Sequence, residues 1–273
     1  MKKLLTLLAA CCLMLFVFGC SDSPNVAGPQ SDSPSVTLVE RPQFTDTRPA
    51  EQIQHATLTG ADVDLTDIIS QASKKPPKPE DPPDTGTTGD DPNPNPAHKY
   101  AYIVGISDYE GTVNDLQYCD DDALAMRSML QGEGFTIRMD NDRAATAATI
   151  TEGLEWLVAS AQPGDEIAFV YSGHGAKAPG AGSSLISTDL YYLTHSYVMD
   201  IFNAANCTKK LVTLDACVIG DFHADCATGT MMATASNRTN SYDAPDLRQG
   251  AWTYYYLEAA EDLNMIYAED CAT

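Results

Sequence analysis

Apolar positions along the chain fall into two rhythms, short dense runs and runs spaced at helical intervals. Residues 166–171 and 210–214 are mostly apolar stretches of strand length, the pattern of strands covered on both faces. Residues 100–106 and 136–139 read the same way, and residues 230–235 form a further apolar run. Between them, Ile150, Leu154, Leu157, Val158 and Ala161 share one face of a helix over residues 150–161. Helices are also predicted over residues 122–131, 197–206 and 249–262, and a loop carries Gly180, Gly182 and the paired serines 183 and 184. Strands alternating with helices predict an α/β fold, a mainly parallel sheet with helices on both faces. Residues 21–97 lack either rhythm and are rich in Pro, Ser, Thr, Asp and Gly, as at Lys74-Lys-Pro-Pro-Lys-Pro79. Such a stretch buries too little apolar surface to offset its ordering entropy, so residues 20–98 are expected to be a disordered spacer. Residues 63–69 are mildly apolar, without a pattern that assigns them structure. The expected division is residues 1–19, 20–98 and one compact domain over 99–273.

Lys2 and Lys3 precede the apolar run 4–18, which ends in Val17-Phe18-Gly19-Cys20. The run is too short to prefer a membrane span and closes on a cleavage pattern. It resembles bacterial lipoprotein signals. That resemblance implies removal of residues 1–19, acylation of Cys20, attachment to a membrane through the lipid, and residence in the cell envelope.

Tyr171-Ser-Gly-His-Gly175 directly follows one buried run and Leu214-Asp-Ala-Cys217 ends the other. In an open α/β sheet, chemistry gathers at the carboxyl ends of the strands, so His174 and Cys217 are expected to meet there. A neutral imidazole within reach can take a thiol proton and later protonate a leaving amine, which suits amide cleavage. His195, His223 and Cys207 are weaker candidates, since none sits at a strand-end turn. Asp215 lies two residues before Cys217, where strand alternation turns both side chains to one side. A buried carboxylate there asks for a cationic guest.

Asn114-Asp-Leu-Gln-Tyr-Cys-Asp-Asp-Asp-Ala123, the string Glu155–Asp165, Tyr171–Gly175 and Asp215-Ala-Cys217 occur in the order and approximate spacing of the caspase-like peptidases, and resemble metacaspases in particular. The resemblance implies a caspase-like three-layer sandwich and a cysteine endopeptidase acting on peptide or protein substrates. Cys217 would be the nucleophile, His174 the general acid and base, and the backbone N–H groups of Gly175 and Cys217 the oxyanion donors. Asp122 and Asp215 would line the primary specificity pocket and favour cleavage after Arg or Lys. For Asp120 and Asp121, a stabilising position at a helix N-terminus is the preferred reading. Residues 233–242 depart from the metacaspase pattern and look more like legumain-type peptidases. Ser236 is a substrate-binding candidate there, and Arg238, aimed into the cleft or solvated, keeps Asn or Asp specificity open. Metacaspases often carry an acidic calcium-binding loop after the histidine, whereas residues 176–188 hold no acidic residue. No cofactor is therefore expected to be required, calcium being the one candidate and a disfavoured one. Residues 218–232 contain no Lys or Arg, which predicts an uncut chain for an enzyme of basic specificity. The family's last section is short here, so either the fold is minimal or the C-terminus is curtailed.

The chain carries 38 acidic and 16 basic residues, a formal charge of −22. That excludes a nucleic-acid binder, which needs clustered Lys and Arg, and suits attraction of a basic peptide. Beyond the signal and Cys20, five cysteines remain: Cys119, Cys207, Cys217, Cys226 and Cys271. With Cys217 kept as a thiol, the other four can form two disulfides in an oxidising compartment. The alternative function is a catalytically inactive caspase-fold lipoprotein that binds a peptide or protein.

Overall fold

The structure, a computed structural model, describes residues 36–73 and 98–261. The signal, Cys20 and Cys271 lie outside them. In chain order the elements begin with β1 (Val39–Glu40), α1 (Ala50–His55), β2 (Thr57–Leu58) and α2 (Leu65–Ser73). The first α/β units follow as β3 (Lys99–Gly105), α3 (Cys119–Gly132), β4 (Thr136–Asn141), α4 (Ala147–Ser160) and β5 (Glu166–Ser172). Next come β6 (Gly175–Ala178), β7 (Gly182–Ile186), β8 (Tyr192–Thr194), α5 (His195–Asn203) and β9 (Lys209–Asp215). The series ends with β10 (Thr230–Thr234), β11 (Tyr242–Ala244), β12 (Gln249–Gly250) and α6 (Ala251–Glu261).

Five strands form one sheet in the order β10-β9-β5-β3-β4, every neighbouring pair parallel. Strand alternation splits its side chains between two cores. Tyr102, Val104, Phe169, Val212 and Leu214 pack with Leu154 and Leu157 of α4 and Val198 and Phe202 of α5. Ala101, Ile103, Ala168 and Val170 pack on the other face with Ala123, Met126 and Leu130 of α3 and Tyr256 and Leu257 of α6. The result is the expected three-layer arrangement of helices, parallel sheet and helices. Caps set two of the helix starts: the Thr146 hydroxyl accepts from Thr149 N at 3.2 Å, and the Thr194 hydroxyl accepts from Tyr197 N at 3.4 Å.

Three expectations change. The stretch after the histidine is a hairpin, with β6 and β7 paired antiparallel, rather than a loop. The spacer is ordered over residues 36–73. Val39–Glu40 pairs with β11, β2 pairs in parallel with β8, and α2 lies against α4, with Ile68 buried. Phe44, Ile53, Leu58 and Val63 each insert singly against the core, a pattern with no period to read. Cys119, Cys207, Cys217 and Cys226 are free thiols, so the structure forms no disulfide among these four. Among the described residues, no helix is long and apolar enough to cross a membrane.

The close fit of α4 on the sheet depends on Gly153, where an added Cβ would run into the Tyr102 ring. Tyr102 cannot retreat, because it is fully buried and its hydroxyl donates to Asp140 at 2.9 Å. Gly153→Ala should therefore lower stability by about 1–3 kcal/mol, the overpacking cost outweighing the ~1 kcal/mol of helix propensity that alanine brings. Urea denaturation checks this, and an unchanged midpoint would show that α4 is free to move off the sheet.

Candidate active site

β5 and β9 are neighbours in the middle of the sheet, with Ser172 opposite Asp215, so the turns that follow place His174 and Cys217 side by side at the strand ends. Gly173 N donates to Asp215 O at 3.2 Å and ties the two turns together. An added Cβ at Gly175 would strike the Cys217 carbonyl, so only glycine lets the histidine turn pass so close to the cysteine. Val218, immediately after Cys217, has φ 50°, a strained left-handed conformation for a β-branched residue. It is held there by Val218 N donating to Thr239 O at 2.9 Å and Ser183 Oγ donating to Val218 O at 2.7 Å.

The His174 ring is clamped in one orientation. Its Nε2 lies 2.9 Å from the Asn114 carbonyl oxygen, which can only accept, so this nitrogen carries the proton. Nδ1 is then left with the lone pair, and it is buried without a hydrogen-bond partner. Tyr109 and Phe44 flank the ring at centroid distances of 4.9 Å and 5.6 Å. Burial pushes the imidazole down to about 4, against the opposing effect of its bond to Asn114 and with help from the charge of Arg41. It is a neutral base at neutral pH. Cys217 is buried, and its Sγ accepts from Ser241 N at 3.3 Å and lies 3.6 Å from Ser241 Oγ.

Beside this pair is a buried acidic pocket, and Arg41 fills it. Arg41 Nε donates to Asp243 Oδ1 at 2.6 Å, Nη2 lies 3.2 Å from Asp122 Oδ2, and Nη1 lies 3.3 Å from Asp215 Oδ1 while donating to the Asp215 carbonyl at 2.7 Å. The carboxylates are themselves held. Asp122 accepts from Ser172 Oγ at 2.7 Å and Gly250 N at 2.8 Å, and Asp215 accepts from Thr253 Oγ1 at 2.8 Å. Gly250 must lack a side chain, since a Cβ would meet the guanidinium and two carboxylates. One guanidinium cannot neutralise three buried carboxylates, so burial and the neighbouring Asp215 push Asp122 up to about 7 despite Arg41. Burial works against a charged Arg41, but Asp215, Asp122 and Asp243 outweigh it and keep the guanidinium protonated.

The structure thus gathers His174, Gly175 and Cys217 at the carboxyl ends of two adjacent strands and Asp122 with Asp215 around one cation. Ser236 does not join them, its hydroxyl donating to Ala216 O at 2.8 Å, where it braces the turn carrying Cys217. Arg238 is exposed. Asp120 accepts from Ser107 Oγ at 2.6 Å, and Asp121 is 3.6 Å from Arg248. His195 pairs with Asp225, His223 with Thr234, and Cys207 with the carbonyl of Lys209. Asp189 accepts from Ala147 N at 2.9 Å and from Ser187 Oγ at 2.6 Å. No group of three or more His, Cys, Asp or Glu is disposed to hold a metal among the described residues. Arg41, Asp243, Gly250 and Thr253 were not foreseen. Two Arg-Pro steps, Arg41-Pro42 and Arg48-Pro49, lie in this segment and nothing local tells the one that enters the pocket from the other, and the backbone carbonyl of Asn114 leaves no sequence signal at all.

A parallel sheet between helix layers, with histidine and cysteine at the ends of adjacent central strands, defines the caspase-like class of α/β proteins. Residues 98–268 match the caspase domain, and the chain belongs to that family of cysteine peptidases. Metacaspase-1 of Schizosaccharomyces pombe is 34% identical over 116 residues, covering 38% of this chain and 27% of that one. Metacaspase-2 of Arabidopsis thaliana is 37% identical over 94 residues, covering 30% and 22%. The matched segments thus span only about a quarter of these relatives' own length. A crystal structure of a Geobacter sulfurreducens protein shares the fold with a TM-score of 0.50 at 16% identity, covering 60% of this chain and 82% of that one.

Phe44 covers the His174 ring, so Phe44→Ala should admit water, favour the charged imidazolium and raise the pKa of His174 from about 4 towards 6.5, by about one unit or more. NMR titration of the imidazole measures it. A pKa that stays near 4 would mean that the sheet end alone buries the ring.

Proposed function

We propose that the chain is a cysteine endopeptidase that cleaves after Arg or Lys, with Cys217 as nucleophile and His174 as its base. The observation that carries this reading is an arginine side chain seated in a buried three-carboxylate pocket that shares Asp215 with the strand leading to Cys217. With Nε2–H held by Asn114, His174 Nδ1 accepts the thiol proton and the thiolate attacks the carbonyl that follows the basic residue. The N–H groups of Gly175 and Cys217 receive the oxyanion, Nδ1–H protonates the leaving amine, and water then releases the thioester. The β6–β7 hairpin that follows the histidine carries no acidic residue, and the proposed reaction uses no metal. Acylation of Cys20 would hold this domain at the cell envelope, where exported basic peptides reach it.

Fluorogenic peptides with Arg, Lys, Asn or Asp before the cleaved bond test the proposal, using the chain and its Arg41→Ala variant. Cleavage should follow Arg and Lys, vanish in Cys217→Ala, and fall by about two orders of magnitude or more in Asp215→Asn, which leaves the buried cation short of a charge. Cleavage after Asn or Asp would overturn the pocket assignment. Absence of all cleavage by both the folded chain and its folded Arg41→Ala variant would favour the inactive binding module.

A further inference from the structure

The stretch before Arg41 lies as an extended peptide, Val39 opposite Asp243 and Glu40 opposite Tyr242 in an antiparallel pair. Arg41 N donates to Ser241 O at 2.9 Å, and Ser241 N donates to Cys217 Sγ at 3.3 Å, so one residue links this peptide to the cysteine. Arg41 therefore displays how the pocket holds a basic side chain. Three carboxylates take three different nitrogens: Asp215 at Nη1, Asp122 at Nη2 and Asp243 at Nε. Positions near the Nη atoms are also within reach of an ammonium. The Nε position is not, because a lysine places a methylene there.

We propose that Asp243 makes this pocket select arginine over lysine, which rests on the reading that the pocket receives the substrate's basic side chain. A lysine guest would set its Cε against the Asp243 carboxylate and leave that charge without its donor. The Asp243 side chain is only 11% exposed, so water does little to replace the lost bond. A charge-assisted hydrogen bond of this kind discriminates by roughly ten- to a hundredfold.

The test uses agmatine and cadaverine, the decarboxylated forms of arginine and lysine, titrated calorimetrically into the Arg41→Ala chain with and without Asp243→Ala. Agmatine should bind at least about tenfold more tightly, and Asp243→Ala should reduce the difference to about threefold or less. Circular dichroism confirms folding, and Asp243→Asn, which keeps the shape and removes the charge, serves if Asp243→Ala unfolds. Equal binding of the two probes, or a preference that survives loss of Asp243, overturns the proposal. Peptide hydrolysis is measured in parallel, so an agmatine preference that depends on Asp243 without any turnover leaves the pocket assignment standing and removes the peptidase reading alone.

A separate observation concerns the bond after Arg41. The residue that follows is Pro42, whose ring fixes φ and whose nitrogen carries no hydrogen. Beyond it, Thr45 N donates to Asn114 Oδ1 at 2.9 Å, Asn114 Nδ2 donates to Thr45 O at 3.2 Å, and Phe44 lies against His174. The chain is thus fastened on both sides of the Arg41–Pro42 bond. We infer that residues 38–45 are a resident occupant of the cleft that resists cutting because of Pro42, and that substrates act only by displacing it. Arg41→Ala should hydrolyse an Arg peptide at least about tenfold faster than the parent chain, since a basic guest no longer competes with a tethered one. Pro42→Ala should be cut after residue 41, water adding its hydroxyl to the Arg41 carbonyl carbon and its proton to the nitrogen of residue 42 as the bond between them breaks, as intact mass shows, and Cys217→Ala should abolish the cut. Equal rates for the parent and Arg41→Ala, or an uncut Pro42→Ala chain that still cleaves Arg peptides, overturns this inference.

Discussion

Three carboxylates and one guanidinium, all withdrawn from water, bind four separate parts of this chain to one another. Asp122 comes from the first turn of α3, Asp215 from the end of β9, Asp243 from β11 and Arg41 from the segment ahead of the domain. Buried charges persist only when paired and hydrogen-bonded, and removal of one partner from such a cluster costs on the order of 3–5 kcal/mol. Burial, and after it the charge of the neighbouring Asp215, push Asp122 up to about 7 even with Arg41 in place. An acidic pocket of this depth is a poor contributor to stability when empty and a strong attractor of any cation that matches its donors. On the proposed reading, its geometry serves recognition more readily than folding.

The same segment that fills the pocket also governs the histidine. Phe44 closes over the ring three residues after Arg41 leaves the pocket, and Arg41's own charge disfavours the imidazolium. Occupancy of the pocket and basicity of His174 are thereby linked through one short stretch of chain. Departure of residues 41–44 would simultaneously open the pocket, hydrate the ring and bring the pKa of His174 closer to physiological pH, where a proton shuttle is most effective. The left-handed Val218, held by Thr239 and Ser183, would keep the Cys217 turn in place during such a departure.

What could be read from the sequence was what repeats. The buried strands, the amphipathic α4 and the polar residues at the ends of β5 and β9 announce themselves by period, and they suffice for the sheet, its two covering layers and the strand-end positions of His174 and Cys217. Asp215 was legible from alternation along the strand. Residues 36–73 were not, because Phe44, Ile53, Leu58 and Val63 each fill one slot on a surface made by the rest of the domain. Composition favoured disorder, and long-range docking overrode it. Gly180, Gly182 and the serines 183 and 184 suggested a loop, yet pairing between β6 and β7 places Gly182 and both serines on a strand of a hairpin. Asp243 sits on a three-residue strand whose partners are β1 and β12, so nothing local marks it as facing a cation.

Hydrogen–deuterium exchange of the full chain with and without saturating agmatine tests the account at its centre. The Arg41 amide, bonded to Ser241 O, and the amides of β1 should be protected in the chain alone and should lose that protection when agmatine takes the carboxylates. Protection that persists with agmatine bound would place the guanidine elsewhere and would contradict an arginine pocket shared between Arg41 and substrate.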